Sequence, residues 1–235
     1  MARQVVLDTE TTGLNARMGD RVVEIGCVEI VSRRVGERHF HAYVNPEREI
    51  DEGASRVHGL TLEDLKDKPK FAEVAGEFLE FIRGAELVIH NAGFDVEFLD
   101  LELGRAKLGK LAEHAAGVVD SLALARELHP GRKNSLDALC ERYFVDHANR
   151  KLHGALLDAR LLAECYLAMT RGQESLVMEA EAPAAAAIAA LKVDASKLAV
   201  LRATPEEAAA HEKYLDTMEK GAAAPSVWRR ILESK

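Results

Sequence analysis

An alternation of strand and helix patterns over residues 1–172 limits what this chain can fold into more than any other feature of its sequence. Three apolar, strand-like segments precede the first long helical pattern, and a short turn at 32–34 joins the last two, as in an antiparallel hairpin. Predicted strands cover 3–9, 22–31, 36–45, 86–90 and 117–119, and predicted helices cover 72–83, 94–103, 120–129, 135–143 and 154–170. The order predicts an α/β fold, with a mixed five-stranded sheet flanked by helices.

The charge balance argues against one class of DNA-binding protein. The 235 residues include 39 acidic and 31 basic side chains, so the net charge is −8, which is unfavourable for coating duplex DNA through an overall basic field. This balance does not exclude nucleic acid as a substrate, because carboxylates that hold metal ions can face phosphates. With 48% hydrophobic and 30% charged residues, the composition is that of an ordinary globular protein.

The sequence shows no sign of a membrane segment or of an oxidised framework. It has neither a leader pattern nor an apolar run of about 18 residues, so we expect a cytoplasmic protein without a membrane span. Cys27, Cys140 and Cys165 lie far apart and form no CxxC pair. We therefore expect reduced core thiols, not a zinc site or disulfides.

The composition changes near residue 172. Residues 179–190, EAEAPAAAAIAA, predict a flexible linker, although an alanine-rich segment also has high helix propensity. Residues 205–220 predict a helix, and the segment 226–232 with Trp228 is either a frayed tail or a docking segment for a partner. The predicted parts are a domain at 1–172, a linker at 173–197 and a small helical C-terminal tail at 198–235.

Two carboxylates stand at the end of the first predicted strand, in the segment LDTETTGL at 7–14. Side chains alternate along a strand, so Asp8 and Glu10 project from the same face. Two carboxylates this close repel each other unless a cation lies between them. The pair is therefore either a solvated turn or half of a metal site.

Two further segments place an acidic residue near the start of a helix. Asp95 falls in the first turn of the helix at 94–103, where the helix dipole stabilises an anion and where aspartate is common without any function. His153 and Asp158 are five residues apart, or about 140° around a helix. They converge if Gly154 ends a loop from which His153 hangs over the helix start, although a loop histidine is more often a surface residue than a catalyst.

Together these positions predict a metal site. The carboxylates come from three separate elements: Asp8, Glu10, Asp95 and Asp158. Oxygen ligands of this kind suit Mg²⁺ or Mn²⁺ and not zinc. Two such ions about 3.5–4 Å apart stabilise the attacking and leaving oxygens of phosphodiester hydrolysis. His153 adds a base that takes a proton from water near neutral pH.

The order D8-x-E10, D95 and H153-x4-D158 resembles the DEDDh 3′→5′ exonucleases, which have a ribonuclease H-like fold. Longer segments resemble one branch of that family, the proofreading epsilon subunits of bacterial DNA polymerase III. These segments are LDTETTGL, VHGL, DKPKFAEVAGEFLEFIRGAELVIHNAGFD, VVDSLALAR, NSLDALC and LHGALLDARLLAECYLAMT. The resemblance is dense over 1–172 and resumes at 198–230. It implies hydrolysis of mispaired primer 3′ ends to 5′-monophosphates with two Mg²⁺ or Mn²⁺ ions.

The resemblance also implies roles for single residues. The metal ligands would be Asp8, which bridges both ions, with Glu10, Asp95 and Asp158, and the general base would be His153. The contacts to the terminal nucleotide would be Thr11 and Leu14, and the positions near the substrate strand would be His58 and Asn91. Without the resemblance, His58 would be interpreted as a loop residue bonded to local backbone.

Residues beyond the domain resemble docking segments. Gln173, Leu176 and Met178 resemble the short motif that binds the bacterial sliding clamp beta, unless they simply begin the linker. The segment 198–235 would bind the polymerase alpha subunit, and a small theta subunit binds this kind of domain in some lineages. A linked nuclease in the bacterial replisome would stay at high effective concentration near the primer end.

Two other functions remain open from the sequence. A DEDDh exonuclease that trims RNA or short oligonucleotides would carry the same five catalytic residues. A non-catalytic scaffold that stabilises the polymerase would be favoured by a missing ligand, and none of the pattern is missing. The linker, the clamp-like motif and the tail favour the proofreading exonuclease.

Overall fold

The chain folds into a mixed sheet with helices on both faces, seen in a computed structural model that describes residues 3–148, 150, 152–171 and 203–220. It divides into two units, Met1–Met178 and Glu179–Lys235. In the described part of the first unit, the strands are β1 (Gln4–Thr11), β2 (Val22–Val31), β3 (Arg34–Tyr43), β4 (Glu86–Ile89) and β5 (Gly117–Asp120).

The helices of the first unit surround this sheet. They are α1 (Glu52–His58), α2 (Leu62–Leu65), α3 (Phe71–Ile82), α4 (Ala92–Arg105), α5 (Ser121–Leu128), α6 (Leu136–Tyr143) and α7 (Ala155–Met169), with short 3₁₀ turns at Ala16–Met18 and Leu111–Glu113. The described residues of the second unit contain the helix α8 (Pro205–Glu219). Thr204 caps α8 and Pro205 opens it, which is a favoured start for a helix.

The strand order explains why the candidate residues meet. The sheet runs β3-β2-β1-β4-β5, with β1 central, antiparallel to β2 and parallel to β4. The parallel strands β1, β4 and β5 carry their C-terminal ends to one edge, where open α/β sheets place their ligands. The segments that follow β1 and β4 therefore lie side by side.

Alternation along β1 divides the core into two apolar layers. Val5 and Leu7 are buried in a cluster with residues of α3 and α4, such as Phe78 and Phe98. Val6 is buried on the opposite face, in a cluster with residues of α6 and α7. Asp8 and Glu10 continue the series of Val6, so they lie on the α7 face of the sheet.

The structure confirms the predicted fold class, with differences at the ends of elements. β1 continues to Thr11, so Asp8 and Glu10 lie within the strand and not at its end. Ser32 and Arg33 both have positive φ, of 49° and 57°, and form the tight two-residue turn that suits a twisted hairpin. The helices α1 and α2 were not predicted, because each is too short to show a helical period.

None of the described helices is both long and apolar enough to cross a membrane. The three cysteines are buried and free, as expected for core thiols. The clamp-motif candidates Gln173, Leu176 and Met178 lie outside the described residues, as does the segment 226–232. The domain boundaries at 172 and 197 stay predictions.

Candidate active site

Asp8 and the start of α7 are brought together by a glycine on the neighbouring strand. Gly26 of β2 pairs directly with Asp8 of β1. A β-carbon at Gly26 would lie 2.2 Å from the backbone carbon of Ala155 and the backbone nitrogen of Leu156, which form the first turn of α7. The absence of a side chain therefore lets this helix start rest on the sheet, beside the β1 carboxylates.

We expect Gly26→Ala to destabilise the protein by about 1–3 kcal/mol, because the new methyl group meets backbone that cannot rotate away. The activity of the candidate site should fall as well, since the displaced turn carries Asp158. Urea unfolding measures the loss. The matched control is Gly76→Ala on the exposed side of α3, where a β-carbon meets nothing within 4 Å and a gain of about 0.5–1 kcal/mol is expected. Equal stability of the two variants would contradict the close approach at Gly26.

Asp95 lies in the first turn of α4, as the sequence predicted. The backbone N–H of Thr9 donates to Asp95 Oδ1 at 3.1 Å, and Thr9 Oγ1 donates to the same oxygen at 2.6 Å. Thr9 thus orients Asp95 from β1, although no pattern in the sequence indicates a role for Thr9. The turn before α4 needs a left-handed residue, and Asn91 takes that conformation with φ 66° and ψ 51°.

His153 and Asp158 meet at the start of α7. His153 lies in the loop before Gly154, the N-terminal cap of α7, so the predicted loop geometry is confirmed. His153 Nδ1 is 3.3 Å from Asp158 Oδ2. Glu10, His153 and Asp158 each offer a ligand atom, and these atoms all lie within 4.8 Å of one another. This group is a candidate metal centre among the described residues.

A cavity of about 440 Å³ is lined by all five predicted catalytic residues. The residues lining it include Asp8, Glu10, Asp95, His153 and Asp158, together with Asn91, Leu14 and Arg150. A second cavity of about 510 Å³ shares Glu10 and Leu14 with the first and is also lined by Thr11 and His58. The predicted substrate contacts therefore line these two adjoining cavities.

Leu14 and His58 differ in how the protein holds them. Leu14 is 85% exposed, which is unusual for a leucine that only supports the core. His58 is buried at the end of α1, and its Nδ1 accepts a hydrogen bond from the Leu60 N–H at 3.1 Å. Its Nε2 has no hydrogen-bond partner among the described residues. Burial lowers the pKa of His58, against an opposing effect of the Thr11 backbone.

The carboxylates are in an environment that disfavours their charged forms. Burial, followed by the charges of Asp95, Glu10 and Asp158, raises the pKa of Asp8 well above its ordinary value. Burial and the charge of Asp158 raise the pKa of Glu10 to about 8. Burial raises the pKa of Asp95 to about 7, although its hydrogen bonds from Thr9 act in the opposite direction. A bound cation would offset this repulsion, so the donor set fits a divalent metal ion.

Arg150 is a further member of the site, and no motif in the sequence indicated it. Its side chain is 5% exposed and contacts Asp158, Asp137 and His153. Burial would lower the pKa of Arg150, but its hydrogen bonds and ion pairs with Asp158 and Asp137 raise it. Its positive charge lowers the pKa values of Asp8 and Glu10 relative to what burial alone would give.

Comparison with known proteins decides the family. The exonuclease family model RNase_T matches residues 5–166. The DNA polymerase III subunit epsilon of Escherichia coli K12 is 51% identical, over 97% of this chain and 98% of its own length. That of Pasteurella multocida is 45% identical, over 99% of this chain and 96% of its own.

The chain belongs to the DNA polymerase III epsilon subunit family. It is a 3′→5′ exonuclease of the proofreading type, and its family of exonucleases is metal-dependent. Similarity along almost the whole chain does not favour the RNA-trimming alternative or the non-catalytic scaffold.

Solved structures of other exonucleases are similar to this chain. Exonuclease X in complex with 5′ overhanging duplex DNA has a TM-score of 0.58 and 26% identity, and the match covers 73% of this chain and 93% of that chain. The structure of Escherichia coli exonuclease I with a dT13 oligonucleotide has a TM-score of 0.63 at 19% identity, covering 75% of this chain and 42% of that chain. The second likeness shows the shared fold alone.

Proposed function

We propose that the cluster of Asp8, Glu10, Asp95 and Asp158 holds two divalent ions, Mg²⁺ or Mn²⁺, and hydrolyses the last phosphodiester bond of a primer. The observation that carries this proposal is the convergence of carboxylates from β1, α4 and α7 in one cavity. When bound, two such ions would activate a water molecule and neutralise charge on the attacking and leaving oxygens. The expected product is a 5′-deoxynucleoside monophosphate.

His153 is the general base of the proposed mechanism. It lies beside Asp158, in the loop that leads into α7, and its side chain is about half exposed to solvent. An imidazole in this position accepts a proton from the attacking water. Its backbone N–H donates to the Val57 carbonyl at 3.1 Å, which fixes the loop against α1.

Thr11, Leu14, His58 and Asn91 bind the terminal nucleotide in this proposal. Leu14 offers an exposed apolar surface for the last base, and His58 lines the same cavity as Leu14. A mispaired end separates from its template at lower cost than a paired end, so it enters a single-strand site more often. Selection for mismatches would therefore begin before the chemical step.

Digestion of labelled primers tests the function directly. The full-length protein should shorten a mismatched DNA primer faster than a matched one in Mg²⁺ or Mn²⁺, and EDTA should stop the reaction, because the cluster needs cations to hold its charges together. An RNA-ended primer is the control for the trimming alternative. Faster digestion of the RNA end, or full activity in EDTA, would contradict the proposal.

We further propose that residues 173–235 connect the nuclease to the bacterial replisome. Relatives that match nearly the full length are named as subunits of DNA polymerase III, which supports assembly with that polymerase. In this proposal the sliding clamp beta is bound by Gln173, Leu176 and Met178, and the alpha subunit is bound by residues 198–235. A theta subunit, where one exists, would bind the domain at 1–172. The complex would be cytoplasmic.

Deletion of 180–235 should separate hydrolysis of DNA from binding to the alpha subunit. We expect the truncated protein to digest single strands at the parental rate, because every candidate active-site residue precedes residue 172. We also expect it to lose co-purification with the alpha subunit. Retention of alpha binding after the deletion would contradict the role of the tail, and the internal control is the unchanged rate on single strands.

A further inference from the structure

Arg150 lies inside the candidate active site, yet the proposed function gives it no role. Its Nε donates to Asp158 Oδ1 at 2.6 Å and its Nη2 donates to Asp158 Oδ2 at 2.5 Å. Both oxygens of one carboxylate are therefore held by the two-pronged guanidinium, which is the strongest arrangement of an arginine–carboxylate pair. The side chains of Arg150 and Asp158 are only 5% and 4% exposed, so solvent screens this pair little.

The same guanidinium also contacts the proposed general base. Arg150 Nη2 lies 2.9 Å from His153 Nδ1. One side chain therefore touches both Asp158 and His153.

A metal ion and Arg150 need the same oxygens. A cation bound to Asp158 would replace at least one of the two hydrogen bonds from Arg150, and its charge would repel the guanidinium at this short distance. Arg150 also makes an ion pair with Asp137 at the start of α6. It can therefore leave Asp158 without losing every acidic partner.

We propose that Arg150 is an internal counter-cation that holds Asp158 in the metal-free protein and leaves it when Asp158 binds a metal ion. This inference rests on the proposed function, because it takes Asp158 as a metal ligand. Release of Arg150 also removes its contact with His153 Nδ1, which lies 3.3 Å from Asp158 Oδ2.

A purely structural salt bridge makes the opposite prediction for metal affinity. If Arg150 only positioned Asp158, its removal would disorder a ligand and weaken metal binding. If Arg150 competes for Asp158, its removal weakens the metal-free protein, because a buried carboxylate loses its partner, and strengthens metal binding. The sign of the change in affinity therefore separates the two roles.

Calorimetric titration of Mn²⁺ into the metal-free, full-length protein measures this sign. We expect Arg150→Gln to bind Mn²⁺ roughly tenfold more tightly than the parent, within the usual range of coupling between two linked equilibria. The melting temperature of the same variant without metal should fall. Arg150→Lys keeps the charge but cannot hold both carboxylate oxygens in the same way, so its Mn²⁺ affinity should lie between those of the parent and Arg150→Gln. If Arg150→Gln does not fold, the affinity of Arg150→Lys decides between the two roles.

Two controls separate this inference from the proposed function. Arg160→Gln removes an exposed positive charge from the same helix as Asp158 and should leave Mn²⁺ affinity unchanged. Asp158→Asn should weaken binding. Weakening by Asp158→Asn without any gain in the Arg150 variants would overturn the role of Arg150 alone. Binding that Asp158→Asn does not weaken would overturn the proposed metal site and this inference with it.

Discussion

Asp8→Asn should reduce hydrolysis of a mismatched primer by at least about 10³-fold, because a metal-ion contribution of several kcal/mol to the transition state is lost. Asp8 lies on the central strand, among Glu10, Asp95 and Asp158, so no other carboxylate can take its place without a change in β1. Single-turnover digestion in Mg²⁺ measures the rate. The amide has the shape of the carboxylate, so the fold should survive.

The matched control is Asp67→Asn, which changes an exposed aspartate that lines neither cavity. Its rate should equal that of the parent. Parental activity in Asp8→Asn would show that the site has been assigned to the wrong residues.

Asp8→Asn should be more stable than the parent when no metal is present. The folded pKa values are raised, with Glu10 moving from 4.5 to about 8 and Asp95 from 3.8 to about 7. Between the unfolded and folded pKa values the folded state binds more protons, so stability falls as the pH rises through this window. In EDTA, the melting temperature of the parent should therefore decline from about pH 5 to about pH 8. Asp8→Asn, with one charge fewer in the cluster, should show a higher melting temperature at the alkaline end and a shallower decline.

His153→Gln should lower the hydrolysis rate by roughly 10²–10⁴-fold, the usual range for a lost general base. Mn²⁺ affinity should change much less, because the four carboxylates remain in place. A parental rate in the variant would contradict the assignment.

His39→Gln is a suitable control for that experiment. His39 is exposed on β3, and its Nδ1 bonds to the Glu37 carbonyl two residues away. The control should keep the rate of the parent.

Much of the fold could be predicted from the sequence because its elements obey simple periods. Alternating apolar residues identified the strands, and the four-residue spacing of residues such as Val74, Phe78 and Ile82 identified a helix. The short helices α1 and α2 could not be predicted, because one or two turns are too short to show a helical period. They matter for function, since α1 carries His58 and its Val57 carbonyl anchors the His153 loop.

The sequence by itself determined which carboxylates and which histidine form the candidate site, because their types and order match one chemistry and one family. Only the tertiary structure decided how close they lie and what else joins them. Gly26 matters because β2 and α7, which are far apart in the chain, approach each other closely there. Thr9 acts through a hydrogen bond to Asp95, and Arg150 acts through hydrogen bonds to Asp158. Such contacts leave no local pattern, since packing between elements and not the period within an element creates them.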